Sequence, residues 1–104
     1  MYIHAFAFRW NENVKEEQKA RAREEILALQ GQIPGLLETH VGNNFSERSR
    51  GYGFVGVMKF TDRSAMEAYF IHPVHQQLVS WLMHLIEPVE MDFEATSSSK
   101  PYPG

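Results

Sequence analysis

The stretch of this chain richest in chemistry is Ala68-Tyr69-Phe70-Ile71-His72-Pro73-Val74-His75, with two histidines and a tyrosine around one proline. An imidazole titrates near neutrality, so His75 has the type of side chain that takes a proton from carbon or oxygen. A phenol such as Tyr69 can orient a carbonyl and stabilise the charge of an enolate. Proline disfavours α geometry in the residue before it, so a helix entering this stretch must stop or kink there. His72 is expected to fix that turn rather than react. A third histidine, His4, stands on an aromatic-rich strand beside Phe6 and Phe8. Tyr69, His75 and His4 are therefore the candidate catalytic residues.

Metal chemistry is not expected. His72 and His75 have an i, i+3 spacing, but Pro73 interrupts the helix face they would need to share, and no carboxylate nearby completes a ligand set. Gly51-Tyr52-Gly53 lacks both the lysine of a phosphate loop and the glycine spacing of a dinucleotide fold. Ser97-Ser98-Ser99 falls in the tail, away from any triad partner, so no cofactor is expected.

Certain elements must hold these side chains. Residues 2–10 alternate, with Tyr2, His4, Phe6, Phe8 and Trp10 on one face and Ile3, Ala5, Ala7 and Arg9 on the other. Both faces carry apolar groups, which reads as a central strand. A helix is expected from Asn13 to about Gln30, with Val14, Gln18, Ala22, Ile26 and Leu29 on its inner stripe and Gly31 and Pro34 past its end. A second strand spans Leu36 to about Val41, with a turn at Gly42-Asn43-Asn44. A third runs from Tyr52 to Phe60, placing Phe54, Gly56 and Met58 together on one face. Ser64 and Glu67 read as a capping box for the next helix. Leu78, Leu82 and Leu85 carry a further helix from Val74 to about Ile86, and Pro88 precedes a last strand over 89–94. On that strand Asp92 and Glu94 are expected to face solvent or a partner chain.

The order β-α-β-β-α-β is that of a ferredoxin-like α+β fold, a four-stranded antiparallel sheet with helices on one face. Residues 1–95 form the domain, and 96–104 read as a flexible tail. Ile3, Ala5, Ala7, Val55 and Val57 would leave the other sheet face apolar, so two sheets should pack together in a homodimer. Between sheet and helices, Phe6, Phe8, Ala22, Ile26, Phe54, Gly56 and Met58 are the expected walls of a substrate pocket, with Gly56 leaving room for a small apolar or aromatic ligand.

Bulk composition narrows the field further. With 43% hydrophobic and 22% charged residues, the chain has an ordinary globular composition. The net charge is −3 and the basic residues are scattered, which argues against nucleic acid as a partner. The absence of cysteine rules out disulfides, thiolate nucleophiles and cysteine-ligated metals. The apolar start lacks a basic flank and is broken by Arg9, so a signal peptide is not expected. No apolar run approaches a membrane span. A cytoplasmic location is the expectation.

Several of these residues recur in order in one family. His4, Ile33-Pro34-Gly35, Gly42-Asn43-Asn44, Gly51-Tyr52, Phe60, Tyr69, His72-Pro73-x-His75 and Asp92-Phe93 resemble the pattern of the stress-responsive A/B barrel (Dabb) domain over about residues 2–94. The resemblance implies a dimeric α/β barrel of ferredoxin-like subunits. Many members have no assigned activity, and one is a cofactor-free polyketide cyclase, so the resemblance implies an aromatic or polyketide-like ligand. Its catalytic tyrosine and histidine match Tyr69 and His75, a histidine near its start matches His4, and a further histidine on its third strand is replaced here by Phe54. The resemblance thus implies a cofactor-independent lyase, cyclase or isomerase, with His75 as acid/base, Tyr69 on the carbonyl and His4 auxiliary. A non-catalytic stress-associated ligand-binding or structural dimer, or a cofactor-free monooxygenase, are the alternatives.

Overall fold

The computed structural model describes residues 1–98 and 100–103; Ser99, from the tail serines, and Gly104 lie outside the described residues. Strand β1 (Tyr2–Trp10) is followed by α1 (Glu16–Leu27), β2 (Leu36–Asn43), β3 (Phe54–Phe60), α2 (Arg63–Phe70), α3 (Pro73–Leu82) and β4 (Ile86–Glu94). The strands form one antiparallel sheet in the order β2-β3-β1-β4, so β1 is central, as its two-sided apolar pattern requires. Among the described residues no helix is long and apolar enough to cross a membrane.

Register decides what β1 can meet. Along it, His4 lies opposite Met58 on β3 and Asp92 on β4, and Phe6 lies opposite Gly56 and Glu90. Cross-strand partners point to the same side of a sheet. His4, Phe6, Phe8, Phe54 and Met58 are buried on the helix side, where Ala22, Ile26, Met66, Tyr69, Leu78 and Leu82 cover them. On the opposite side, Ala5 and Ala7 align with Val57 and Val55 and Ile3 with Lys59 of β3, and the three align with Met91, Val89 and Phe93 of β4 respectively. The last three are about half exposed, so the apolar face continues to the sheet edge.

Element boundaries depart from the sequence reading in several places, among them the end of α1, at Leu27 rather than near Gln30. Helix α1 begins at Glu16 rather than Asn13, since Asn13 takes a positive φ of 67°. Strand β2 continues through Gly42 and Asn43, and β3 begins at Phe54 rather than Tyr52. The cap of α2 is Asp62, not Ser64: its Oδ1 accepts from the Ala65 amide at 2.8 Å. The chain enters that helix fixed by Thr61, whose amide donates to Gly35 O at 2.9 Å. Gly35 itself has φ +81°, and a Cβ there would stand 2.5 Å from that of Ala65, so the Pro34-Gly35 turn needs glycine. Finally, α3 ends at Leu82, and Ile86 already pairs with Trp10 in β4. Pro88 is tolerated inside β4 because this is an edge strand.

Candidate functional site

The break between α2 and α3 spans only Ile71 and His72. Pro73 occupies the first turn of α3, where its missing amide costs nothing, and His72 caps that helix by accepting from the Val74 amide at 3.1 Å. The sharp restart swings His75 back over the end of α2. Its Nδ1–H donates to Phe70 O at 3.1 Å, which leaves Nε2 as the ring's basic nitrogen. The His75 ring centroid is 4.4 Å from that of Tyr69.

Strand β1 brings His4 to the same place. The ring is 3% exposed, 6.0 Å from Tyr69 and 5.3 Å edge-on to Phe70. Its Nδ1 is 2.5 Å from Asp92 Oδ1. A carboxylate accepts only, so Nδ1 carries the proton and Nε2 is again the open nitrogen. Asp92 therefore does not face solvent or a partner alone: the register turns it to the helix side, and it orients the buried imidazole. Alternation on β4 was the available signal, but only the β1–β4 register reveals the pairing.

Burial separates the two kinds of group electrically. The Tyr69 hydroxyl is pushed well above the usual phenol range, first by desolvation and then by the charge of Glu90. It stays protonated and can donate a hydrogen bond. The His75 imidazole is held below its ordinary value, chiefly because half-burial disfavours its cation. Its bond to Phe70 O and the charge of Glu90 act the other way, and the neighbouring His4 and His72 add to the lowering. A neutral imidazole at neutral pH is a base. The site thus pairs a hydrogen-bond donor with a proton acceptor. Neither the Tyr69 hydroxyl nor His4 Nε2 has a hydrogen-bond partner among the described residues. No buried side-chain nitrogen or oxygen is left unpaired there, so both open onto accessible space.

That space is a cavity of about 30 Å³ lined by His4, Tyr69 and His75 with Phe6, Phe8, Ile26, Leu78, Leu82 and Glu90. Of the pocket walls expected from sequence, Phe6, Phe8 and Ile26 are present. Ala22, Phe54 and Met58 are not: they are sealed within the core, at 0–2% exposure. Gly56 leaves no hollow either, because the Phe6 ring lies directly over it, with Cε2 and Cε1 only 2.6 and 2.9 Å from where a Cβ would stand. Glu90, Asp92 and Leu78 are the lining or orienting residues that sequence reasoning missed. A larger groove of about 320 Å³ lies next door, between α2 and the end of β4, and shares Phe70 and Asp92 with the histidine cluster.

A four-stranded antiparallel sheet backed by helices, with a tyrosine and two oriented imidazoles between the layers, defines a ferredoxin-like α+β protein. The sequence matches the Stress responsive A/B Barrel Domain, Dabb, over residues 3–95, and the chain belongs to that family. No curated protein matches the sequence. Among solved structures, the protein At3g17210 from Arabidopsis thaliana is similar over 96% of this chain and 100% of its own, with TM-score 0.86 at 19% identity. A dimeric ferredoxin-like protein of unknown function from Jannaschia sp. CCS1 shares 25% identity, covering 90% of this chain and 98% of its own at TM-score 0.79. Hydroxynitrile lyase from Passiflora edulis has TM-score 0.78 at 14% identity, covering 93% of this chain and 96% of its own.

Proposed function

We propose that this Dabb protein is a homodimer that moves protons on a small carbonyl compound without a cofactor, as a lyase, cyclase or isomerase. The observation that carries this reading is the convergence of Tyr69, His75 and His4 on one cavity, each imidazole with its Nδ1 already committed. In the reaction, His75 Nε2 takes a proton from the carbon beside the carbonyl, giving an imidazolium and an enolate. The Tyr69 hydroxyl donates to the carbonyl oxygen as charge builds there. His4, oriented by Asp92, holds or returns a proton at the far side. The apolar sheet face from Ile3 to Phe93 is the surface on which two copies pair. That a hydroxynitrile lyase shares the fold is an analogy of architecture and sets no substrate.

A cavity of about 30 Å³ holds a water rather than a substrate, and this favours a second reading, a non-catalytic dimer of the cytoplasm. One experiment separates the two. The exchange of α-protons of acetophenone and cyclohexanone for deuterium is followed by NMR with wild type, His75→Ala and Tyr69→Phe. Catalysis should exceed the buffer rate by roughly 10²–10⁴ and fall by about two orders in each variant. The rate should rise with pH as His75 loses its proton, with a midpoint below the ordinary histidine value, and then level off. Wild-type exchange no faster than His75→Ala would refute the catalytic reading.

A further inference from the structure

The groove between α2 and β4 is ten times the volume of the cavity at the histidines, and Phe70 and Asp92 on its wall are both neighbours of His4, which lines the cavity. Phe70 lines the groove with one side. With the other it meets all three site rings: His4 at 5.3 Å, Tyr69 at 5.5 Å and His75 at 6.2 Å. Its position in the fold suits a partition. Arg63, Met66, Glu67 and Phe70 follow an i, i+3, i+4, i+7 pattern, so one face of α2 forms the groove wall and Phe70 ends it. The Phe70 carbonyl is fixed by His75 Nδ1 and by Gln76 Nε2 at 2.7 Å, while the residue keeps some exposure. The side chain can change rotamer with the backbone held, and its exposed edge faces the open groove.

We infer that Phe70 is the gate of one elongated substrate site, whose reacting end sits at His4 and His75 and whose tail lies in the α2–β4 groove. This rests on the acid–base reading above. With the ring turned aside, the joined space reaches the few hundred Å³ that small-molecule sites occupy. The groove also selects by charge. Arg63 is already paired with Glu67 at 2.9 Å, which leaves Asp92 and Glu94 in excess. The Glu94 charge is the main cause that raises the Tyr2 hydroxyl above its ordinary value, the mark of a negative potential at that wall. The substrate is accordingly an elongated apolar or aromatic molecule with an uncharged tail, and carboxylated tails are rejected.

The test uses the full chain and a pair of probes that differ in charge, 2-naphthol and 2-naphthoate. Imidazole carbon-bound protons of His4 and His75 and the methyl group of Met66 are followed by NMR in wild type, Phe70→Ala and Phe70→Leu. 2-Naphthol should shift Met66 and both histidines together, with one dissociation constant. Phe70→Ala should tighten that constant about fivefold, because the open state no longer has to be selected. Phe70→Leu, which keeps an apolar side chain on α2, should fall between. 2-Naphthoate should bind at least about tenfold more weakly. Shifts confined to Met66 in every variant, equal binding of the anion, or no binding of 2-naphthol would each overturn the inference. Failure of the catalytic reading alone would show as exchange indifferent to His75→Ala, with these shifts intact.

Discussion

Replacing Gly56 by alanine tests how the site wall is built, because the added methyl has nowhere to go. Its carbon would stand 2.6 and 2.9 Å from two atoms of the Phe6 ring and closer still to Cζ, where ordinary contact begins at 3.4 Å. Phe6 and Gly56 are direct partners across β1 and β3, so neither backbone can move away without breaking the central pair of the sheet. The ring must retreat by about 1 Å, and it is hemmed in by Phe8, stacked at 5.1 Å, and by His4 at 5.6 Å. Overpacking of this kind costs about 1–3 kcal/mol, and forcing the ring off its rotamer adds about 0.5–1.5 kcal/mol. A loss of about 2–4 kcal/mol follows, which lowers Tm by roughly 15 °C in a domain of this size. Because Phe6 also lines the histidine cavity, the displaced ring should close it.

The assay is urea denaturation at one fixed protomer concentration, since dimerisation would make the apparent stability depend on it. Gly56→Ala is compared with Phe6→Leu and with the double variant. Leucine removes the atoms in conflict, so the double variant should recover at least about 1 kcal/mol relative to the sum of the singles. A Gly56→Ala stability within about 0.5 kcal/mol of wild type would mean the space above Gly56 is vacant. The cavity wall described here would then be wrong.

Two further outcomes follow from the same geometry. Asp92→Ala should release the His4 tautomer, because Nδ1–H loses its acceptor and the Nε2–H form becomes populated; long-range ¹⁵N–¹H correlation of the ring reads this directly, and an unchanged Nδ1–H would refute the orienting role. Val57→Glu places a charge at the middle of the apolar sheet face and should convert the dimer to monomer in sedimentation, whereas a monomeric wild type would remove the pairing proposed for that face.

What could be read along the chain was what local chemistry decides. Alternation over 2–10 and 54–60 assigned strand faces correctly, since side chains alternate by geometry alone. The inner stripe of α1 was legible for the same kind of reason: Ala22 and Ile26 are buried in it, and Leu29 is buried just past the helix end at Leu27. The break at Pro73 followed from proline itself. Where two local signals competed, the structure chose by a distant contact. Asp62 and Ser64 are both competent caps, and the Thr61–Gly35 bond fixes the chain so that Asp62 wins. Leu85 continued the helical spacing of Leu78 and Leu82, but Ile86 gains a partner in Trp10 by leaving the helix. Gly56 was misread, and the partner of Asp92 missed, because each is defined by the residue across from it. A glycine opens a pocket only if its neighbour is small, and here the neighbour is Phe6. An acid on an edge strand can face solvent and still be claimed from across the sheet: Asp92 stays exposed, as expected, and holds the His4 ring as well.

Belonging to the family fixes the scaffold but not the reaction, and the division of labour within the site comes instead from burial. Tyr69 and His75 stand ring to ring, yet the same apolar surroundings move them in opposite protonic directions. Desolvation keeps the phenol neutral by holding its proton and keeps the imidazole neutral by refusing one. Pairs whose environments set such complementary roles are how one fold carries out acid and base steps at a single pH. The sign carries over to stability. Because the folded-state value of His75 lies below its unfolded one, the unfolded chain binds the extra proton more readily as pH falls through the ordinary histidine range. His75 therefore contributes stability that is present above its unfolded value and is lost as pH falls towards the lower folded one, and only below that does the folded ring, the base proposed above, take up its proton.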